Sequence, residues 1–390
     1  MDAAARLEGD IAMRYDLFSV DDHIIEHRRV WLDRLPSKYH EVAPHVIEED
    51  GREYWVWEGT KSPQMGLNAV AGKPQEEWTM EPTRFSDMIP GCYDPAERAK
   101  DMAADGIRAS LCFPTLAGFG GRVLNGYEDK VLADLCVTAY NDFHIDEWCA
   151  AAPEMFVPII VGQVWDPVAM AGEVRRCAAK GARALAFPEG TVSLGLPSLI
   201  SDYWDPVWQA CEETGTVICM HIGSSGELTN PAPDGSFVIP IALGNVNAQA
   251  AMVTFTLSPV PRKFPGIKLA ISEGGIGWIP SALERADRQF LKHRLWAGMD
   301  DLLPSEIWKR NIWGCMIEEP IGLSFREHIG VEKILWECDY PHCDSTWPHS
   351  QKVCAEIFDQ AGLTSAEVDA ITHGNACALF RWELGIGNRR

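Results

Sequence analysis

Three carboxylates and one histidine crowd into eight residues, Ser19-Val20-Asp21-Asp22-His23-Ile24-Ile25-Glu26. A mostly apolar run, Leu17-Phe18-Ser19-Val20, leads into them. Side chains alternate along a strand, so Asp21 and His23 point one way and Asp22 the other. An aspartate and an imidazole one strand repeat apart can reach a common ion. An isolated Asp-x-His also serves to start a turn, with the aspartate as its cap. The later chain decides between the two, because it supplies partners of the same kind.

His221 closes the apolar run Thr216-Val217-Ile218-Cys219-Met220 and precedes Ile222-Gly223-Ser224-Ser225-Gly226. Glu273 ends another run, in Ser272-Glu273-Gly274-Gly275-Ile276-Gly277-Trp278. The two glycines let a ligand or backbone approach closely, and a buried carboxylate without a partner is costly. A fourth run ends in Glu337-Cys338-Asp339-Tyr340-Pro341-His342-Cys343-Asp344. The candidate set is therefore Asp21, His23, Glu26, His221, Glu273, Asp339 and His342: three imidazoles and four carboxylates. No cysteine stands at a ligand-like spacing, and mixed nitrogen and oxygen donors suit zinc, manganese or iron. Seven candidates exceed what one tetrahedral ion uses, so two ions, or one ion plus acid–base groups, both fit. Glu318 and Glu319 read as a solvated helix start.

The elements that must position these groups form a regular series. Apolar strands over residues 17–20, 109–113, 156–161, 182–187, 216–221, 267–272, 311–317 and 333–338 alternate with helices over 96–105, 132–151, 167–180, 204–214, 245–257, 281–296 and 321–329. Two more helices close the chain, over 350–360 and 365–380. Near-continuous apolar strands alternating with helices predict a parallel sheet covered on its outer face, and eight units are the number that closes a (β/α)8 TIM barrel. The first strand is not followed by the Gly-x-Gly-x-x-Gly of an open dinucleotide-binding sheet. In a barrel the chemistry lies at the carboxyl ends of the strands, where all the candidates above fall. Residues 1–390 read as one barrel domain. Residues 27–95, rich in Trp, Pro and Gly, read as an insertion that covers the barrel mouth, with a hairpin arm at Glu53-Tyr54-Trp55-Val56-Trp57-Glu58.

Composition narrows the function classes. An apolar fraction of 46% with 23% charged residues marks an ordinary globular protein. A net charge of −22 argues against nucleic acid and anionic membranes as partners. It leaves room for an anionic small molecule, because a local cluster of Arg and Lys can hold phosphates in an acidic protein. Residues 1–6 lack a signal-peptide layout, and no apolar run is long enough to span a bilayer. The 12 cysteines include no Cys-x-x-Cys pair, so the expected compartment is a reducing cytoplasm without disulfides. Fifteen tryptophans suit a core, a large apolar pocket or a homodimer interface.

The Asp-x-His start, the strand-five histidine, the strand-eight aspartate and the closing His373-Gly374-Asn375-Ala376 resemble the amidohydrolase-2 branch of metal-dependent (β/α)8 enzymes. That branch contains hydrolases and nonoxidative decarboxylases that use one divalent ion. Two positions depart from it: Asp21 replaces the first histidine of His-x-His, and Glu273 replaces a histidine on the sixth strand. The altered motifs, with Asp339-Tyr340-Pro341-His342 running on to Ser345-Thr346-Trp347-Pro348, are similar to the TIM-barrel nonheme diiron monooxygenases of bacterial diterpenoid (platensimycin and platencin type) biosynthesis. This resemblance implies an oxidoreductase holding two iron ions. It would hydroxylate an apolar, CoA-linked small molecule with O2 and an electron donor. His23, His221, Glu273 and Asp339 would be core ligands, with Asp21, Glu26 and His342 completing a second iron site. Asn375, Ser345 and Thr346 would orient ligands, and the loop 224–240 would join the insertion as an apolar lid. The alternative is a mononuclear hydrolase or decarboxylase holding one zinc or manganese, with Glu273 or His342 as acid–base catalyst.

Overall fold

Eight parallel strands follow one another around a closed barrel in the computed structural model, which describes residues 15–62, 65–80 and 82–385. The strands are β1 (Leu17–Ile24), β2 (Ile107–Pro114), β3 (Phe156–Val157 and Ile159–Ile160), β4 (Ala184–Pro188), β5 (Val217–His221), β6 (Leu269–Ser272), β7 (Ile312–Met316) and β8 (Ile334–Trp336). β3 is in two pieces because Pro158 has no N–H to give to the ladder. Each strand pairs in parallel with the next, from β1 with β2 through to β7 with β8. The ring closes just beyond β8, where Asp339 N–H donates to the Asp21 carbonyl at 2.8 Å and His23 N–H to the Tyr340 carbonyl at 2.6 Å. The chain is thus an α/β protein with (β/α)8 architecture. Residues 1–6, inspected above for a leader, lie outside the described residues.

Local chemistry explains the elements. All eight residues of β1 are buried, as expected of a strand with side chains on both faces of a barrel wall. Two of the covering helices start at Asp-Pro steps. Asp94 caps Pro95–Ala104 by accepting from the N–H groups of Ala96 and Glu97, and Asp166 caps Pro167–Ala179 in the same way. The helix Ile279–His293 buries Ile279, Ala282, Leu283, Ala286 and Phe290, the spacing of one helical face. Its expected continuation to Trp296 fails because nothing apolar lies beneath that residue, which is exposed. The helix expected over 321–329 divides at Phe325, and a π-turn at Ala370–Gly374 interrupts the last one. A helix at Pro304–Asn311, before β7, has no counterpart in the sequence reading.

Between β1 and β2, strands His45–Glu49, Arg52–Trp57 and Thr60–Ser62 form a small antiparallel sheet. Trp57, Ser62, Leu67 and Trp78 from this stretch wall a cleft of about 1080 Å³ at the carboxyl end of the barrel. Leu228, Ile241 and Ala242 wall it from the segment after β5.

Candidate metal centre

β1 brings Asp21 and His23 to the barrel axis and turns Asp22 away. Asp22 accepts hydrogen bonds from the Tyr340 N–H at 3.0 Å and from the Ser110 hydroxyl, so it ties β1 to β2 and to the loop beyond β8. Burial pushes its carboxyl up to about 7. On the inner face, His23 Nε2 lies 3.3 Å from Asp21 Oδ1, 3.3 Å from Asp339 Oδ1 and 3.2 Å from His221 Nε2. His221 Nε2 lies 3.3 Å from Asp21 Oδ2 and 3.4 Å from Glu273 Oε2. His342 Nδ1 reaches Asp339 Oδ1 at 2.8 Å. Six of the seven sequence candidates therefore meet around one point.

Glu26 does not join them. Its carboxylate accepts the backbone N–H groups of Thr115, Leu116 and Ala117 at 3.1, 2.8 and 3.3 Å. Five residues beyond Asp21 on a chain that has left β1, it faces the neighbouring loop and serves as an anchor there. Asn375 is also remote: its amide donates to the carbonyls of Val331 and Ile334, at the amino end of β8. Ser345 and Thr346 support the loop after β8, where the Thr346 N–H donates to the Cys338 carbonyl at 3.2 Å.

The donor set fits a cation. Neither oxygen of Asp21, nor Asp339 Oδ2, His23 Nδ1 or His342 Nε2, has a hydrogen-bond partner among the described residues, although all are buried. His221 Nδ1 donates to the Ile222 carbonyl at 2.6 Å, which leaves the lone pair of Nε2 aimed at His23 and Asp21. Ligands about 2.0–2.2 Å from one ion stand roughly 3.0–3.5 Å from each other, the spacing seen here. No Lys or Arg forms an ion pair with Asp21, Glu273, Glu337 or Asp339 among the described residues. Burial pushes the Asp21 carboxyl well above its ordinary range, with Glu337, Asp339 and Glu273 adding to the push. Burial also raises Glu273 and Glu337 and lowers His221 to about 4. Burial alone would raise Asp339 too, but His342 and His23 outweigh it and hold this carboxyl below its usual range. Carboxylates buried together without a basic partner need a shared counter-charge.

Two backbone features focus the site. Glu273 and Asp339 both occupy the left-handed region, at φ 54° and 62°, a conformation that costs a non-glycine residue about 1 kcal/mol or more and concentrates at functional sites. A set of acids at the strand ends also clasps the loops. Glu337 accepts the Glu273 N–H at 3.1 Å, Glu319 accepts the Ile276 N–H at 2.8 Å, and Glu189 accepts the N–H groups of Gly223 and Ser225 at 3.0 and 2.6 Å. Glu337 and Glu189 were not among the sequence candidates. Glu337 stands one strand repeat before Asp339, the same period-two signal that marked Asp21 and His23. Phe119 was missed as well. Its ring centroid lies 4.6 Å from that of His23 and 4.3 Å from that of His221, and no local pattern announces it.

A family profile described as amidohydrolase matches residues 27–382. The chain belongs to the amidohydrolase family. No curated protein matches this amidohydrolase sequence. Solved structures match its fold. An amidohydrolase of Mycobacterium avium subsp. paratuberculosis K-10 is 20% identical over 95% of this chain and 100% of its own, with a TM-score of 0.74. A 5-carboxyvanillate decarboxylase of Sphingomonas paucimobilis is 22% identical over 78% of this chain and 88% of its own, with a TM-score of 0.62. The 5-carboxyvanillate decarboxylase of Novosphingobium aromaticivorans, solved with manganese and 4-hydroxy-3-methoxy-5-nitrobenzoic acid, is 15% identical over 95% and 97%, with a TM-score of 0.64.

These findings correct the monooxygenase expectation. The neighbours are decarboxylases and amidohydrolases, and none of those named here is an oxidoreductase. CoA, O2 and an electron donor have no counterpart among them, whereas small benzoates do. The two buried groupings able to hold an ion, Asp21–His23–His221 and His23–Asp339–His342, share His23. One imidazole nitrogen has one lone pair and serves one ion. Glu26, expected to help complete a second iron site, is committed to backbone N–H groups instead. No helix among the described residues is long and apolar enough to cross a membrane.

Proposed function

We propose that this amidohydrolase-family chain is a metal-dependent, nonoxidative decarboxylase of a small carboxylic acid. The observation that carries the reading is the convergence of Asp21, His23, His221 and Asp339, with both Asp21 oxygens and Asp339 Oδ2 unpartnered among the described residues, beneath a cleft walled by Phe119, Trp57 and Trp78. Manganese or zinc suits that set of nitrogen and oxygen donors, and manganese accompanies a nitrobenzoic acid in one similar decarboxylase and 2-nitroresorcinol in another. When bound, such an ion would supply Lewis acidity to the substrate's oxygen atoms.

The chain's own residues supply the rest. Phe119 lies over the imidazoles and offers a flat apolar surface to an aromatic or unsaturated acid. Glu273 differs from the other charged members of the cluster: its side chain is 23% exposed toward the cleft, against 0–1% for Asp21, His23, His221 and Asp339. It is the group positioned to give a proton to the substrate carbon as that carbon gives up CO2. The C–C bond breaks, its electron pair takes up the Glu273 proton, and no oxidant is consumed. His342 keeps its Nδ1 on Asp339 and holds it in place.

A hydrolase is the second reading. The unpartnered Nε2 of His342 favours it, since that atom can accept a proton from an attacking water. Twelve unpaired cysteines, ten of them buried, support a reducing cytoplasm as the compartment.

The test is CO2 release from a panel of hydroxybenzoic and related acids by manganese-loaded protein under argon. Turnover that matches the aerobic rate supports the decarboxylase. Ester or amide cleavage without CO2 release selects the hydrolase, and full activity after complete metal removal overturns both.

A further inference from the structure

Among the described residues, six acidic side chains line the cleft, Glu227, Glu273, Glu318, Glu319, Glu337 and Asp344, and one basic side chain joins them, Arg122. The exposed Arg122 guanidinium makes no hydrogen bond and no ion pair with any described residue, although it shares the cleft with these carboxylates. An anionic group entering this cleft is repelled everywhere except at the metal centre and at Arg122.

The arginine is seated by the fold. It follows a turn in which Gly118 and Gly121 have φ 77° and 81°, values that glycine adopts without strain. A Cβ at Gly120 would stand 2.7 Å from Pro188 N, so this turn packs backbone against backbone on β4. Glu26 clasps the start of the same turn through three N–H groups. The turn also carries Phe119, whose ring rests on the histidines. Arg122 is three residues from Phe119, at most about 11 Å away along the chain, and lines the same cleft as Glu273. On its other side, a Cβ at Gly226 would lie 2.9 Å from Arg122 Cδ. Gly226, in the loop after His221, leaves open the groove in which the arginine side chain lies.

We infer that Arg122 binds a second carboxylate of the substrate, remote from the reacting one. The natural substrate is then a compact dicarboxylic acid with an apolar body lying between the metal centre and the guanidinium. A planar guanidinium takes a carboxylate through two parallel N–H bonds, which fixes orientation as well as charge. This inference rests on the metal-dependent reading above, which assigns the first carboxylate to the metal centre.

The experiment is calorimetric binding to manganese-loaded protein. Benzene-1,3- and 1,4-dicarboxylate and the series from glutarate to suberate are each compared with the matched monocarboxylate. At least one dicarboxylate binds tenfold or more tightly than its partner, about 1.4 kcal/mol. In Arg122→Gln that ratio falls to near one, while manganese content and monocarboxylate affinity stay unchanged; Arg122→Lys keeps part of the preference. The inference is overturned if no dicarboxylate is preferred, or if the preference survives in Arg122→Gln. It is equally overturned if a gain appears only with phosphonocarboxylates, which would make the subsite one for phosphate. Monocarboxylate binding that is unchanged by chelation would instead remove the metal-dependent reading, and the Arg122 ratio would remain readable.

Discussion

His23 and His221 face each other Nε2 to Nε2 at 3.2 Å, from residues 198 apart in the chain. His221 commits its other nitrogen to the Ile222 carbonyl, so its Nε2 presents a lone pair. Two imidazole nitrogens brought this close beside the unpartnered oxygens of Asp21 describe a shared ion better than a hydrogen bond. His221→Ala should therefore lose bound manganese or zinc. Ligand binding stabilises the folded state by about 2.7 kcal/mol at 100 times Kd. A chelator should accordingly lower the unfolding midpoint of the wild type and leave that of His221→Ala unmoved. Equal metal content by mass spectrometry in the two proteins would remove His221 from the centre.

Glu26 separates anchoring from ligation. Glu26→Gln should keep its metal and lose roughly 1–3 kcal/mol of stability, because an amide NH2 then faces backbone donors that the carboxylate had satisfied. Urea unfolding together with metal analysis checks both halves. Metal loss without a stability change would return Glu26 to the ligand set.

Two adjacent acids should behave oppositely. Glu319 holds the Ile276 N–H, in the loop that carries Glu273, whereas Glu318 is exposed. Glu319→Ala should cut turnover at least tenfold by loosening Glu273, since small misplacements of a reacting group are expensive in rate. Glu318→Ala should be nearly silent. A dead Glu318→Ala enzyme would show that the catalytic assignment is misplaced.

Glu273 sits at φ 54°, so its replacement by glycine relieves strain of about 1 kcal/mol and removes one of several mutually repelling carboxylates. Metal-free Glu273→Gly should melt at least as high as metal-free wild type while losing all turnover. A lower midpoint would mean that the carboxylate stabilises the fold.

His144 is fully buried, with neither ring nitrogen partnered among the described residues, and burial lowers it to about 3 from its ordinary 6.5. Below pH 6.5 the unfolded chain takes up a proton that the folded chain refuses. Folding is therefore weakened as pH falls from 6.5 toward 3, by about 1.4 kcal/mol per pH unit. In His144→Phe that loss should vanish, so the stability of the variant relative to wild type should rise by about 2 kcal/mol between pH 7.5 and pH 5. Parallel unfolding curves at the two pH values would exclude a proton-linked role for His144.

The barrel was legible because its signals are local. Eight apolar runs alternate with amphipathic segments, and Asp94-Pro95 and Asp166-Pro167 announce helix starts within a few residues. The strand-end positions of His221, Glu273 and Asp339 follow from the same periodicity. Residue type and strand position by themselves also marked Asp21 and His23 as one face. What only the tertiary structure decided is which strand-end group meets which. Glu26 looks like a fourth carboxylate ligand in the sequence, yet the loop after β2 supplies three N–H donors that occupy it. Glu337, Phe119 and Arg122 come to the cleft through contacts between loops far apart along the chain. Periodicity tells which face a side chain takes, whereas closure of the barrel sets the distances between faces, and those distances determine how many ions the donors can share.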